Sequence, residues 1–224
     1  MQCVLCKKNT YVIHITKEHQ HICSNCYDKR NRPMEHLAQE FYNKRIIVDG
    51  HFKLNSGLHT DKYIYKDKIY CDPELFKKCI DGLIKLITDS DIEIDCVASP
   101  SAGGVVLGAP VAIELNKPLI YGEKNEDGTF RLRKCFRDFV YDKKIILIDD
   151  IYSSGKTISN MHKVIKGNEG VLTGIFCIWN RAMQKTLDRA FSIDIRALVQ
   201  NYIDVQEPKY CYQCTNNIPI TNLK

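Results

Sequence analysis

Residues 71–90, CDPELFKKCIDGLIKLITDS, repeat apolar positions at helical spacing, with Phe76, Ile80, Leu83, Ile84 and Ile87 on one face. Asp72 stands where an N-cap is wanted and Pro73 at the first helical position, so the segment predicts an amphipathic helix. A shorter helix is expected over 33–46, opened by Pro33 and carrying Leu37 and Phe41 one turn apart. Four apolar runs read as buried strands: IEIDCVAS (92–99), KPLIYGE (117–123), KKIILIDD (143–150) and VLTGIFCIWN (171–180). Between them, AGGVVLGAPVAIELN (102–116) reads as a glycine-opened helix, and SGKTISNMHKVIKGNEG (154–170) as a helix closed by Gly167 or Gly170. The stretch KNEDGTFRLRK (124–134) is polar and offers little to a core, so a charged loop or hairpin is expected there. The order βαβαβ predicts an α/β fold, a mostly parallel sheet flanked by helices on both faces.

Composition changes this picture only at the edges. The 224 residues suffice for one domain with a sizeable core and a small appendage. A formal charge of +5 suits an anionic small substrate and is too small to argue for nucleic acid, which is not expected as a partner. No apolar run approaches the roughly 18 residues of a membrane span, so no membrane association is expected. The start, MQCVLCKKNT, lacks the apolar core of a signal peptide. A cytoplasmic protein is expected, and its eleven cysteines then read as thiols and metal ligands rather than disulfides.

The cysteines cluster. Cys3, Cys6, Cys23 and Cys26 make a C-x2-C-x16-C-x2-C array, whose four thiolates would close a tetrahedral structural Zn2+ site with no open catalytic position. Four reduced thiols are the alternative, and His14, His19 and His21 lie between the pairs as substitute ligands. Cys211 and Cys214 form a third CxxC, either a spare pair or a partner to one N-terminal pair across the fold.

The chemistry concentrates at 145–159, IILIDDIYSSGKTIS, where a strand ends in two acids and a helix follows. Ligands of parallel sheets sit at the carboxyl ends of the strands. Ser153, Ser154, Gly155, Lys156 and Thr157 would open the helix, where free N–H groups and the helix dipole favour an anion. The GKT triplet is not a triphosphate-binding loop. That motif needs a glycine five positions before Gly155, and Asp150 occupies it. Asp149 and Asp150 make better sense as acceptors for vicinal sugar hydroxyls beside one phosphate, the alternative being that they cap the turn.

An apolar run, two acids and a Ser/Thr-Gly-x-Thr loop resembles the signature by which type I phosphoribosyltransferases bind phosphoribosyl pyrophosphate (PRPP). The resemblance implies that fold, with a small hood. It also implies that Asp149 and Asp150 meet the ribose hydroxyls while the loop from Ser153 to Thr157 holds the 5-phosphate. Three more segments narrow it toward the orotate enzymes. GHFKLNSGLHTDKYIY (50–65) is similar to their N-terminal substrate segment, which implies Asn55 near PRPP and Tyr63 and Ile64, with Ser153, around the base; standing alone it would be a β-hairpin with a Ser-Gly turn. SPSAGGVVLGAPVA (99–112) resembles the pyrophosphate loop, implying Ser101, Ala102 and Gly103 as PRPP contacts, with close helix–strand packing at Gly103 and Gly104 as the alternative. FCIWNRAM (176–183) resembles a strand ending in Asp-Arg, with Arg181 placed to pair with the orotate carboxylate and Asn180 in the position of the acid. The segment 123–136, EKNEDGTFRLRKCF, resembles the flexible catalytic loop of one branch of these enzymes, with Lys124, Arg133 and Lys134 as candidate catalytic cations and Cys135 in place of a glycine.

The resemblance implies conversion of PRPP and orotate to orotidine 5'-monophosphate and pyrophosphate, with Mg2+ accompanying PRPP and a homodimer as the assembly. Asp149 and Asp150 would be catalytic as well as binding residues. The chain divides as a zinc knuckle (1–30), the transferase domain with its hood (31–205) and a CxxC tail (206–224). A cysteine knuckle ahead of the same domain also resembles the competence-associated phosphoribosyltransferase-like proteins. Transfer to another base, or a PRPP-sensing or DNA-associated protein without turnover, therefore stands beside the leading reading.

Overall fold

The computed structural model describes residues 13–15, 21–23, 35–54, 56–100, 103–182, 193 and 195–222. Of the N-terminal zinc array, Cys3, Cys6 and Cys26 lie outside these residues, and Cys23 is described only as backbone. Asn55, Ser101 and Ala102 also lie outside them.

In chain order the elements begin with a short antiparallel pair, β1 (Ile13–Ile15) and β2 (His21–Cys23), and helix α1 (Glu35–Asn43). An antiparallel hairpin follows, β3 (Ile47–Lys53) and β4 (His59–Ile64), then a single helical turn α2 (Asp67–Tyr70) and the long helix α3 (Pro73–Thr88). The remainder alternates: β5 (Cys96–Ser99), α4 (Gly103–Glu114), β6 (Leu119–Tyr121), the hairpin β7 (Glu123–Lys124) and β8 (Phe130–Arg131), β9 (Lys144–Tyr152), α5 (Lys156–Gly167), β10 (Val171–Asn180) and β11 (Ile195–Gln200). A final turn of helix, α6 (Tyr212–Thr215), lies in the tail. Among the described residues no helix is long and apolar enough to cross a membrane.

Five strands form the central sheet in the order β11-β10-β9-β5-β6, and every pairing is parallel. Period-two alternation along β9 explains why its apolar run is unbroken. Ile146 and Ile148 enter a core shared with α1, α3 and α4, while Ile145 and Leu147 enter a second core beneath α5. Helices thus cover both faces, as the pattern predicts.

Helix α3 begins as expected, with the Asp72 carboxylate accepting from the Leu75 N–H at 3.1 Å. Its buried stripe is Leu75, Cys79, Leu83 and Ile87, with Phe76 and Ile80 flanking it. The expected face is rotated because Cys79, an unremarked small apolar side chain, occupies its centre. IEIDCVAS is shorter as a strand than its apolar content suggests: only Cys96–Ser99 pair, and Asp95 spends its carboxylate on the Lys144 N–H at 2.8 Å. Strand β11 goes unanticipated in the sequence, although it carries buried Ala197, Leu198 and Val199.

The tail returns to the β3–β4 hairpin. His59 N–H donates to Gln206 O and Gln206 N–H to His59 O, both at 2.8 Å, and Thr221 N–H donates to His51 O at 2.6 Å. The CxxC segment is therefore seated against the hairpin.

Helix α4 lies close enough on β5 that a Cβ at Gly108 would overlap Ser99 Oγ, a buried hydroxyl without a hydrogen-bond partner among the described residues. Gly108→Ala is expected to destabilise the protein by about 1–3 kcal/mol, the usual cost of overpacking. Most of that cost should vanish in a Ser99→Ala background, so a double-mutant cycle by urea denaturation gives a coupling that purely local helix effects would not.

Candidate active site

Because β5, β9 and β10 run parallel, their carboxyl ends open on one side of the sheet. Register places Cys177 beside Asp149 and Asn180 beside Tyr152, so Arg181 leaves β10 level with the loop that leaves β9. Its N–H donates to Tyr152 O at 3.0 Å, tying the two loops together. Asn180 is buried, and its Oδ1 accepts from the Ala182 N–H at 3.0 Å. An asparagine thus accepts the turn amide where the resemblance has an aspartate.

Asp149 and Asp150 end a strand buried on both faces and are only 7% and 4% exposed. Asp149 Oδ1 accepts from the Asp150 N–H (2.9 Å) and Asp150 Oδ1 from the Ile151 N–H (2.7 Å). Asp150 Oδ2 accepts from Lys66 Nζ at 2.6 Å and from the Tyr70 hydroxyl at 3.1 Å. Tyr70 also reaches Gly103 O at 3.2 Å. A Cβ at Gly103 would overlap Asp150 Oδ2, and one at Gly104 would lie 2.7 Å from Pro100 Cδ and 3.3 Å from Asp149 Oδ1. The glycine pair is what lets the loop after β5 approach the acids. The tight packing named as the alternative reading of these glycines is present, and it is packing onto the acidic pair.

Electrostatics divide the two carboxylates. Burial, reinforced by the neighbouring Asp150 charge, raises the Asp149 pKa to about 7. Asp150 has the cation. Burial opposes the charge on Lys66, but the bond to Asp150 and its charge outweigh this and raise the lysine pKa. Burial and the Asp150 charge likewise raise the Tyr70 pKa, which keeps the phenol a proton donor.

Beyond the acids, Gly155 takes φ +74°, the left-handed conformation that turns the chain from β9 into α5. Ser153 is half-buried, Ser154 exposed, and Ser154 Oγ accepts from the Lys156 N–H at 3.5 Å. Lys156 and Thr157 face solvent on the first turn of a twelve-residue helix, whose leading N–H groups suit an anion. Arg181 is half-buried, and burial lowers its pKa, offset only in part by the Tyr63 phenol.

Alternation on β4 separates Tyr63 from Ile64. Tyr63 packs with Phe52 (5.6 Å between ring centres) and Tyr65 (4.9 Å), whereas Ile64 turns into the core. The Ile64 side chain is accordingly not available to flank a base. The segment 123–136 forms the β7–β8 hairpin and a 3-10 turn (Lys134–Phe139), and Asn160 of α5 holds its tip by donating to Gly128 O at 3.0 Å. Arg133 Nε pairs with Glu123 at 2.6 Å and its guanidinium stacks over Tyr121, while Lys124 and Lys134 are exposed. Lys66 and Tyr70 are the site residues that sequence reasoning passed over. Their i, i+4 spacing in YKDKIY was the available signal, since it aims both at one point.

A family model described as the phosphoribosyl transferase domain matches residues 66–212. An orotate phosphoribosyltransferase of Campylobacter jejuni subsp. doylei is 34% identical over 146 residues, which cover 65% of this chain and 71% of the relative. That of Helicobacter acinonychis is 27% identical over 190 residues, 80% of this chain and 94% of the relative. Among solved structures, orotate phosphoribosyltransferase from Aeropyrum pernix superposes with a TM-score of 0.60 at 20% identity, covering 73% of this chain and 93% of that one. An adenine phosphoribosyltransferase from Thermoanaerobacter pseudethanolicus gives 0.51 at 22% identity, covering 62% and 88%. The structural likeness establishes the fold and does not choose the base.

A buried acid with a raised pKa weakens the fold when it ionises. Between about pH 4 and pH 7 the folded protein holds the Asp149 proton and the unfolded chain does not, so this residue's contribution to stability falls as pH rises through that window. Thermal melts of Asp149→Asn should lie above wild type at pH 8 and converge with it near pH 4. Parallel melting curves at every pH would contradict the assignment.

Proposed function

The chain belongs to the phosphoribosyltransferase family, and on that footing we propose that it transfers the phosphoribosyl group of PRPP to orotate, yielding orotidine 5'-monophosphate and pyrophosphate in pyrimidine biosynthesis. The observation that carries the choice of base is Arg181, half-buried directly after β10, with its N–H bonded to Tyr152 O two residues beyond the acidic pair. A planar base bearing a carboxylate matches a guanidinium that offers parallel N–H donors. The orotate enzymes named among the relatives support the same base.

In this reading Asp149 and Asp150 accept from the ribose 2- and 3-hydroxyls, and the segment from Ser153 to Thr157, through its amides and hydroxyls, receives the 5-phosphate. Ser101, Ala102 and Gly103, with Asn55, receive the pyrophosphate and ribose. Ribose hydroxyls compete with Lys66 for Asp150, which frees a cation within the site for an anionic substrate. Bond breaking at C1 builds positive charge on the ribose and negative charge on departing pyrophosphate, and donors already in place stabilise both. Lys124, Arg133 and Lys134 on the β7–β8 segment are the cations proposed to assist the leaving group, with Arg133 exchanging Glu123 for phosphate oxygens. Orotate is an anion at neutral pH, so no side chain is required as general base.

The two carboxylates offer hard oxygen donors of the type Mg2+ takes, and they fit the ion as part of a mainly aqueous and phosphate shell. Bound there, Mg2+ would neutralise pyrophosphate charge. We also propose a cytoplasmic homodimer, a structural Zn2+ on Cys3, Cys6, Cys23 and Cys26 in a knuckle over 1–30, the transferase domain over 31–205, and the tail over 206–224.

Loss of orotate absorbance in the presence of PRPP and Mg2+ tests the transfer. Arg181→Ala should lower kcat/KM for orotate by roughly 30-fold or more, corresponding to about 2 kcal/mol or more for a truncated charge pair, with the KM for PRPP little changed. Asp149→Asn combined with Asp150→Asn should instead weaken PRPP. PRPP binding without orotate turnover in the wild-type protein would overturn the reading. For the knuckle, Cys23→Ser should remove one zinc equivalent per chain by elemental analysis, and retention of all zinc would exclude it.

A further inference from the structure

Away from the acidic pair, four side chains with metal-binding atoms converge where the tail meets the hairpin. His51 of β3, His59 of β4 and the Cys211 and Cys214 pair place their ligand atoms all within 4.8 Å of one another. His51, His59 and Cys211 are buried, and Cys214 closes the cluster toward solvent. We propose that these four residues bind a structural Zn2+, distinct from the N-terminal cysteine array, that fastens the C-terminal tail to the substrate hairpin.

The distances fit such an ion. Zn–N bonds of about 2.0–2.1 Å and Zn–S bonds of about 2.3 Å imply tetrahedral edges of about 3.6 Å between N and S and about 3.4 Å between two N atoms. Cys211 Sγ and Cys214 Sγ each lie 3.6 Å from His51 Nε2, and Cys214 Sγ lies 3.2 Å from His59 Nδ1. His51 Nε2 and His59 Nδ1 are 2.8 Å apart, so the two short edges at His59 would open by about half an ångström around the ion, with every edge of the cluster already within 4.8 Å.

The second shell is in place as well. His51 Nδ1 lies 2.7 Å from Ile218 O, an acceptor, which fixes the proton on Nδ1 and turns the Nε2 lone pair inward. Two thiolates and two imidazoles with tetrahedral edges select zinc among the common divalent ions. Four protein ligands leave no open position, so the role is structural. A Cys211–Cys214 disulfide would use the thiols but gives no reason for two buried imidazoles to meet there.

The ion's place in the chain indicates what it holds. His51 precedes Phe52, whose ring packs on Tyr63, and His59 stands on the same strand as Tyr63. Besides the backbone pairings of Gln206 and Thr221, the tail meets the hairpin through Gln213 Nε2, which donates to Gly50 O at 2.6 Å, and Thr221 Oγ1, which accepts from the His51 N–H at 3.2 Å. The zinc makes this seam a closed cross-link between residues 152 or more positions apart.

The test uses the full chain and reads metal, so it stands apart from the orotate reading. Replacing Cys3, Cys6, Cys23 and Cys26 together by Ser should leave one zinc equivalent per chain. The double variant Cys211→Ser/Cys214→Ser in the wild-type background should lower zinc by one equivalent. Unchanged zinc in that double variant overturns the proposal. Against the chance that it misfolds, Co2+ is bound to the N-terminal quadruple variant with and without His59→Cys. Tetrahedral cobalt bands in both, with thiolate charge-transfer absorption rising by about half as a third sulfur joins two, support the site. Absent cobalt bands, or the same intensity in both, would overturn it.

Discussion

The Lys66–Asp150 contact joins the two parts of the molecule that have to act together. Asp150 lies at the carboxyl end of a strand buried on both faces, and Lys66 follows directly on the hairpin that carries Tyr63. A carboxylate so deeply placed requires a partner, because the loss of hydration otherwise exceeds what the fold recovers elsewhere. Lys66 and Tyr70 supply that partner and in doing so set the hairpin over the sheet end. The glycines opening α4 follow from the same constraint, since any side chain at Gly103 would displace the acid.

Asp149 is treated differently by the fold. It is as buried as its neighbour, yet among the described residues its Oδ1 accepts from the Asp150 N–H alone, and burial raises its pKa. The ligand-free site holds one carboxylate committed to a cation and another at a cost in solvation. Under the proposed function, sugar hydroxyls would relieve both conditions by donating to Asp149 and competing for Asp150. The proposed polyhydroxyl ligand carrying anionic groups would suit such a site, in keeping with the family to which the chain belongs.

The C-terminal tail extends this dependence to the far side of the hairpin. His51 and His59 lie on the two strands whose other positions include Phe52 and Tyr63, and the tail closes on both histidines. The hairpin is consequently held at two places: through Lys66 at the sheet end and through the His/Cys cluster at the tail.

Periodicity and turn residues sufficed to determine the local elements. The unbroken apolar run before Asp149 implies a strand covered on both faces, Asp72 and Pro73 start α3, and the Ser-Gly turn closes the hairpin, each through interactions within a few residues. The acidic pair and the loop from Ser153 to Thr157 were legible for the same reason, since strand, turn and helix stand together in the chain. Contacts between distant segments were decided by the tertiary structure alone. Nothing local to Lys66 or Tyr70 points to Asp150 eighty or more residues away, β11 becomes a strand only through its partner β10, and Ile64 is taken by the core through the alternation of a hairpin. The sequence likewise showed Cys211 and Cys214 as a pair without showing their partners. The two histidines that meet them lie on opposite strands, and pairing across a sheet depends on register and packing, which no spacing along the chain records.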